Sequence, residues 1–164
     1  MTETDVIFQT TTRLTEDPVR GFGKARYEAA VEYLPNLHKV KEFAAAIDLL
    51  DVGGFKNGEH LRQLIPAWRC QSINLSHEFH GKLSDVIYDG SRLPFVDKSI
   101  PVIIAVDVFE HVPQELRPQL MSEMYRVCKL RMIVSGPFFS HHNVKFEKKV
   151  LTEMIRLGLH PKES

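Results

Sequence analysis

The stretch AIDLLDVGG at residues 46–54 decides the fold of this 164-residue chain. Its first seven residues are almost continuously apolar, and two glycines follow directly. A short run of this kind is typical of a strand that is buried on both faces, as strands are in a parallel sheet. Glycines directly after such a strand let backbone amides approach a ligand where a side chain would collide. We therefore predict a buried parallel strand that ends in a ligand-binding loop.

Strand and helix signals alternate along the rest of the chain. The strongest strand signal is PVIIAV at 101–106, which is β-branched and uncharged, and further strands are predicted at 70–75, 85–88 and 130–135. The predicted helical segments are one that starts at Arg26 and is divided at Pro35-Asn36, one over 59–65, one through Leu116, Leu120, Met124 and Val127, and one over 145–157. This alternation predicts an α/β fold with a Rossmann-like, doubly wound and mainly parallel sheet.

The charges of the chain balance. Lys plus Arg total 21 and Asp plus Glu total 21, which argues against a protein that binds nucleic acid through bulk attraction to phosphates. Cys70 and Cys128 lie in apolar segments without a CxxC partner, so we predict buried thiols rather than a disulfide or a zinc site. No apolar run approaches the ~20 residues that cross a bilayer. We therefore expect no membrane span and a cytoplasmic protein.

The length of the chain suits one domain, which at this size can bury a hydrophobic core without staples. Residues 1–23 are polar and show little periodicity, so they predict a loose N-terminal arm. Residues 24–164 are then the folded domain. His141 and His142 form an adjacent pair, but no third ligand follows at a fixed spacing, so we predict no metal site.

Polar residues and glycines follow the predicted strands at their ends. In an open parallel sheet, ligands bind beyond the carboxyl ends of the strands, near the point where the strand order reverses. The candidate binding residues at these ends are Asp51, Val52, Gly53, Gly54, Asn74, Leu75, Ser76, Asp89, Gly90, Asp107, Glu110 and His111.

The glycine spacing excludes two common phosphate-binding loops. Gly53, Gly54 and Gly58 do not fit GxGxxG, and no GK[ST] follows them. A nicotinamide-binding fold also needs an acid at the end of its second strand, where this chain has Asn74 and Ser76. A nicotinamide-dependent oxidoreductase is therefore disfavoured.

Three segments together resemble a known family. The strings IDLLDVGG, DGSRLPFVDKSIPVIIAVDVFEHVP and RVCKLRMIVSGPF, within residues 46–138, are similar in order and spacing to class I S-adenosylmethionine-dependent methyltransferases. The similarity is strongest to the subgroup with LDVGG, DGxxLPF and EHVP. This resemblance implies the strand order 3-2-1-4-5, S-adenosylmethionine as cofactor, and methyl transfer to a small-molecule or otherwise unidentified acceptor.

The resemblance also implies roles for the candidate residues. The loop from Asp51 to Gly54 would lie against the methionine part of the cofactor, with the acid orienting its amino group. Asn74 or Ser76 would stand near the ribose, and Asp89 beside Gly90 would meet the adenine amino group. Asp107 would lie close to the sulfonium. Glu110 and His111 would line the acceptor side, and no residue stands out as a base that activates the acceptor.

The chain departs from the family pattern in several places. Phe55 and Asn57 replace glycines of the common loop, and no acid stands at Asn74 or Ser76. After the helix that ends near Leu157 the family fold has two more strands, for which no sequence remains. An alternative is therefore a truncated, non-catalytic cofactor-binding or scaffold protein. Its fifth strand would then form an exposed sheet edge, through which a homodimer could pair.

Overall fold

The structure is a computed structural model that describes residues 4–10, 22–54, 59–75, 78–79, 82–83, 85–136, 152, 156 and 157. Eight strands lie in these residues: β1 (Asp5–Thr10), β2 (Leu49–Val52), β3 (Cys70–Asn74), β4 (Glu78–Phe79), β5 (Lys82–Leu83), β6 (Val86–Ile87), β7 (Ile100–Val106) and β8 (Cys128–Gly136). The same residues form the helices α1 (Phe22–Val31), α2 (Leu37–Lys41), α3 (Glu59–Leu64) and α4 (Arg117–Val127), with a 3₁₀ turn at Phe109–His111.

A six-stranded parallel sheet forms the centre of the fold, in the order β1-β8-β7-β2-β3-β6. Five of these strands are predicted ones: numbered 1 to 5 along the chain, they are β2, β3, β6, β7 and β8. Their order in the sheet, β6-β3-β2-β7-β8, is therefore the predicted order 3-2-1-4-5. The α/β, Rossmann-like fold class is confirmed. The sheet differs from the prediction by its sixth strand, β1, which lies beyond β8.

Strand β1 corrects two predictions. Residues 5–10 are not part of a loose arm, because they pair in parallel with β8 from Asp5 opposite Arg131 to Thr10 opposite Gly136. Val6 is buried in the core, and the Arg131 guanidinium donates to Asp5 at 3.0 Å. The predicted exposed edge on the fifth strand is therefore also wrong, because β1 covers β8, and a homodimer through a sheet edge stays a prediction. These six residues show too short an apolar alternation to stand out from the polar segment around them.

The sheet separates two hydrophobic layers. On one face, α4 contributes Leu120, Met121 and Met124 to a core with Leu50 and Phe109. The opposite face is covered by residues of α1, α2 and α3, among them Ala30, Val40 and Leu61. Neighbouring residues of β2 alternate between these layers, as the two-residue period of a strand requires.

Secondary structure outside the sheet follows the predictions in part. The predicted division at Pro35-Asn36 is confirmed, because Asn36 caps α2 by accepting from the His38 amide at 2.8 Å. Both cysteines are buried and free, as predicted. The short antiparallel pair of β4 and β5 was not predicted. Most of the predicted final helix over 145–157, and the pair His141 and His142, lie outside the described residues.

A buried ionic network anchors β2 at the end opposite the candidate site. The Asp48 carboxylate is buried and accepts from Lys41 at 2.5 Å and from the Arg69 side chain at 2.7 and 3.1 Å. Burial by itself would raise the pKa of Asp48, but the hydrogen bonds from Arg69 and Lys41 outweigh it and lower the pKa to about 2. The first acid of IDLLD is therefore structural.

Arg126 organises the LPF segment of the sequence. Its guanidinium donates to the carbonyl oxygens of Leu93 and Phe95 at 3.0 and 2.9 Å. It also binds Glu123 at 2.6 Å and Asp97 at 2.6 Å, and Glu123 in turn accepts from the Leu93 amide. The residues 93–97 are thereby fastened to α4, which gives this part of the pattern a structural role.

Replacing Arg126 with alanine should lower the free energy of unfolding by about 2–4 kcal/mol, because hydrogen bonds to carbonyls and carboxylates are lost together. Arg126→Lys should recover little, since an ammonium cannot reproduce the planar fork. Urea unfolding measures both, with Arg92→Ala as control because Arg92 is exposed in the same segment. Equal stability of Arg126→Ala and Arg92→Ala would contradict this role.

Candidate functional site

The predicted site residues that the structure describes lie along one edge of the sheet. Strands β7, β2, β3 and β6 are neighbours and parallel, so their carboxyl ends lie side by side. Contacts continue from tip to tip: a Cβ at Gly53 would touch Val108, the Asn74 side-chain amide donates to the Gly53 carbonyl at 3.2 Å, and a Cβ at Gly90 would lie 3.1 Å from Leu75. The edge is therefore continuous from β7 to β6.

The two glycines after β2 are required by their surroundings. Gly53 has φ +79°, and a Cβ there would lie 2.5 Å from a methyl carbon of Val108. A Cβ at Gly54 would collide with the Asp51 carboxyl group. The Gly53 amide donates to the Ile73 carbonyl at 2.8 Å, which ties the loop to β3. Close packing by Val108 on one side and Asp51 on the other therefore excludes larger side chains.

Asp51 is a buried carboxyl group with one unpartnered oxygen. The Tyr27 hydroxyl donates to Oδ2 at 2.8 Å, while Oδ1 has no hydrogen-bond partner among the described residues. Burial raises the pKa of Asp51 to about 7, an effect that the Tyr27 hydrogen bond opposes and the charge of Asp85 reinforces. Burial and the Asp51 carboxyl also raise the pKa of Tyr27. A cationic ligand group at Oδ1 would favour the ionised carboxylate.

Asp107 repeats this arrangement at the tip of β7. Its backbone adopts φ +52°, which is uncommon for a residue with a side chain, and its amide donates to the Ser135 carbonyl at 2.8 Å. Its Oδ2 forms an ion pair with Arg26, and its buried Oδ1 has no hydrogen-bond partner in the described part of the chain. Two neighbouring strand tips thus each present an unpartnered carboxylate oxygen.

The end of β3 is held by hydrogen bonds between the Asn74 side chain and neighbouring backbone groups. Asn74 donates to the Gly53 carbonyl and accepts from the Leu75 amide at 2.8 Å, so its side chain holds the backbone on both sides. Leu75 is 58% exposed, although it is apolar. Ser76 lies outside the described residues. This tip therefore offers an apolar surface and an amide rather than a charge.

Asp89 and Gly90 form a tight turn after β6. The Ser91 amide and hydroxyl donate to Asp89 Oδ1 at 2.8 and 2.5 Å and lower the pKa of this exposed carboxyl. Gly90 adopts φ +84°, which a side chain would strain. The turn fixes Asp89 as an ionised acid next to Leu75.

The predicted acceptor-side residues lie on the 3₁₀ turn that follows Asp107. The Arg117 guanidinium donates to the carbonyl oxygens of Val112 and Glu110 at 2.7 and 3.3 Å, which fastens the turn to the start of α4. The His111 side chain is exposed, whereas Phe109 is buried beneath it. His111 is thus accessible at the β7 end of the edge.

Two residues that the sequence did not single out belong to this site. Arg26 and Tyr27 come from α1 and contact Asp107 and Asp51. Tyr27 lies in a segment that the sequence predicts only as a helix, and nothing in that pattern marks it as a site residue. The 24 positions between Tyr27 and Asp51 leave no local pattern that could reveal the contact.

Fold and site together define a class of protein. The strand order reverses between β2 and β7, and Asp51 and Asp107 stand at the ends of these two strands. An open α/β sheet binds its ligand at this switch point. The arrangement is that of a Rossmann-like domain with two acids at its switch point.

A family model described as a methyltransferase domain matches residues 50–131, half of the chain. The chain belongs to this methyltransferase family, and the predicted membership of the S-adenosylmethionine-dependent class is confirmed. The subgroup with LDVGG and EHVP stays a prediction. No curated protein matches the sequence significantly.

Several solved structures are similar to the chain. An S-adenosylmethionine-dependent methyltransferase from Aquifex aeolicus has 18% identity and a TM-score of 0.44, over 80% of this chain and 85% of that one. A putative S-adenosylmethionine-dependent methyltransferase from Methanococcus maripaludis has 14% identity and a TM-score of 0.40, over 82% of this chain and 70% of that one. Geranyl diphosphate C-methyltransferase from Streptomyces coelicolor A3(2) was solved in complex with Mg²⁺, geranyl diphosphate and S-adenosyl-L-homocysteine. It has 14% identity and a TM-score of 0.45, over 95% of this chain and 72% of that one.

The described residues contain neither a cluster of metal ligands nor a membrane-spanning helix. Within the described ranges, no three His, Cys, Asp or Glu side chains cluster as a metal site would require. No helix in that part of the chain is long and apolar enough to cross a bilayer.

Proposed function

We propose that the chain binds S-adenosylmethionine along the edge from β7 to β6 and transfers its methyl group to an acceptor. The observation that carries this proposal is the pair of buried oxygens on Asp51 and Asp107 at the switch point, which have no hydrogen-bond partner within the described ranges. A carboxylate there suits the cofactor's ammonium, and acids near a sulfonium favour its positive charge. The cofactor supplies the activated methyl group.

The methionine end of the cofactor would lie on the loop after β2. Gly53 and Gly54 leave room for a close approach, and Asp51 Oδ1 would accept from the amino group. The Asp51 pKa of about 7 supports this assignment, because an ammonium at Oδ1 would compensate a carboxylate that burial otherwise disfavours.

The nucleoside end would lie against β3 and β6. Leu75 would pack on the adenine, and the ionised Asp89 would accept from its amino group. Asn74, which braces the Gly53 loop, would meet the ribose through its amide rather than through a carboxylate. Charge-assisted hydrogen bonds contribute about 1.5–3 kcal/mol. The ribose should therefore contribute less to affinity here than the amino acid end.

The acceptor would enter beside the 3₁₀ turn, where Glu110 and His111 lie after Asp107. Methyl transfer mainly requires that the nucleophile and the methyl group are held in line. We therefore propose an acceptor that is itself nucleophilic, a small molecule in the first instance, and assign no catalytic base.

Binding of S-adenosylhomocysteine tests the cofactor assignment. Calorimetry and thermal shift should show saturable binding, and affinity in Asp89→Ala should fall about ten-fold, as expected for one charge-assisted hydrogen bond. Asp97→Ala is the matched control, because Asp97 is an exposed acid that binds Arg126 away from this edge. Absence of heat and of any melting shift at millimolar ligand would refute the proposed function.

A further inference from the structure

Helix α1 attaches to the switch point through two consecutive residues. The Tyr27 hydroxyl donates to Asp51 Oδ2 at 2.8 Å, and Arg26 pairs with Asp107 Oδ2. Strands β2 and β7 are adjacent, about 4.8 Å apart, and consecutive Cα atoms are about 3.8 Å apart. One turn of helix therefore spans both strand tips.

The two contacts follow one pattern. In each carboxyl group, the α1 side chain engages Oδ2, while Oδ1 is buried and has no hydrogen-bond partner among the described residues. A buried acceptor without a partner is unfavourable, so both oxygens favour a donor that arrives with a ligand. Because α1 uses the other oxygens, a donor that a ligand brings to Oδ1 would not compete with Tyr27 or Arg26 for the same atom.

We propose that Tyr27 and Arg26 are positioning residues, which hold Asp51 and Asp107 so that their Oδ1 atoms accept from a cationic group of the ligand. Docking of α1 and binding of the ligand then stabilise each other. This inference rests on the proposed function, and it assigns both Oδ1 atoms to the amino group of the cofactor, because a sulfonium has no hydrogen to donate. It adds α1, which lies outside the family match at residues 50–131, to the binding machinery.

The charges around Asp51 predict a specific change in the pH dependence of ligand binding. Burial raises the pKa of Asp51, Asp85 raises it further, and the Tyr27 hydrogen bond opposes both. Removing the Tyr27 hydroxyl should raise this pKa again and leave less carboxylate at neutral pH. A residue that only supports the fold would have no such effect on the pH dependence of binding.

Tyr27→Phe separates a residue that positions Asp51 from one that only supports the fold. Tyr33→Phe is the matched control, because Tyr33 is also half-buried on this face of the sheet. Calorimetry with S-adenosylhomocysteine between about pH 5.5 and 9 should show wild-type affinity that rises with pH and levels off above about 7. In Tyr27→Phe, affinity at pH 7 should fall about ten-fold, and the plateau should move to higher pH. Tyr33→Phe should match the wild type.

Two further measurements complete the test. Arg26→Gln should weaken binding of S-adenosylhomocysteine about ten-fold, and Arg26→Lys should restore part of it, because the positive charge remains. In the wild-type protein, the same ligand should slow amide hydrogen exchange in α1, a readout that does not depend on any variant.

The outcomes separate this inference from the proposed function. If the wild type binds S-adenosylhomocysteine but Tyr27→Phe keeps its affinity and pH profile, the inference is wrong and the function stands. The inference is also wrong if Tyr27→Phe binds more weakly only because its melting temperature is lower. In that case the pH profile of binding would be unchanged, and the ligand would not slow amide hydrogen exchange in α1. No binding by the wild type would refute both.

Discussion

Gly54→Ala should reduce the affinity for S-adenosylhomocysteine about 10–100-fold, the range expected when one charge-assisted contact is lost. A Cβ at residue 54 would overlap the Asp51 carboxyl group, which is 1% exposed and held by Tyr27. Because the two groups cannot overlap, either the carboxyl group rotates away from its binding position or the loop shifts. Both responses misplace the methionine end of the site.

The same substitution should lower the free energy of unfolding by about 1–3 kcal/mol, as overpacking usually does. Gly90→Ala is a control for stability alone: it strains the backbone at φ +84°, but its Cβ would meet only the flexible end of Leu75 at 3.1 Å, so its cost should not depend on Asp51. Urea unfolding and calorimetry measure the two effects. In an Asp51→Ala background, the stability cost of Gly54→Ala should shrink, which a double-mutant cycle detects. Wild-type affinity in Gly54→Ala would contradict this geometry.

Asp51→Asn should make the ligand-free protein more stable above pH 7 by about 2–4 kcal/mol, while it weakens cofactor binding. The native pKa of Asp51 is about 7 against an ordinary value of 3.8, because burial disfavours the charge. The folded state therefore holds a proton that the unfolded state releases between these two values.

The sign of the pH dependence follows from this difference. The contribution of Asp51 is fully present below about pH 4, declines as the pH rises toward 7, and is constant above it. Asp48 acts in the opposite sense, because its pKa is lowered to about 2, so its contribution is lost as the pH falls below about 4. Between pH 4 and 7, the decline should therefore come from Asp51.

Urea unfolding from pH 4 to 9 measures this dependence. The wild type should lose stability between about pH 4 and 7, and Asp51→Asn should remove most of that slope. Asp89→Asn is the control, since Asp89 is exposed and its pKa is lowered rather than raised. A slope that is unchanged in Asp51→Asn would show that another group titrates in this range.

The sequence predicted the central sheet well because each buried parallel strand carries its own local signal. The run of β-branched residues in 101–106 and the apolar stretch before Gly53 are such signals, and the matching strands β7 and β2 formed in the expected order. Strand β1 was missed because only its pairing with β8, more than 120 positions away, makes it a strand.

The sequence by itself determined the parallel α/β sheet and the set of polar residues at its carboxyl ends. Hydrophobic burial and glycine conformation are encoded residue by residue, so these features could be predicted without coordinates. Only the tertiary structure decided that α1 brings Arg26 and Tyr27 onto Asp107 and Asp51, and that one oxygen of each acid has no hydrogen-bond partner in the part of the chain that the structure describes. Hydrogen bonds and ion pairs between distant segments depend on how the layers pack, and a one-dimensional pattern does not record that packing.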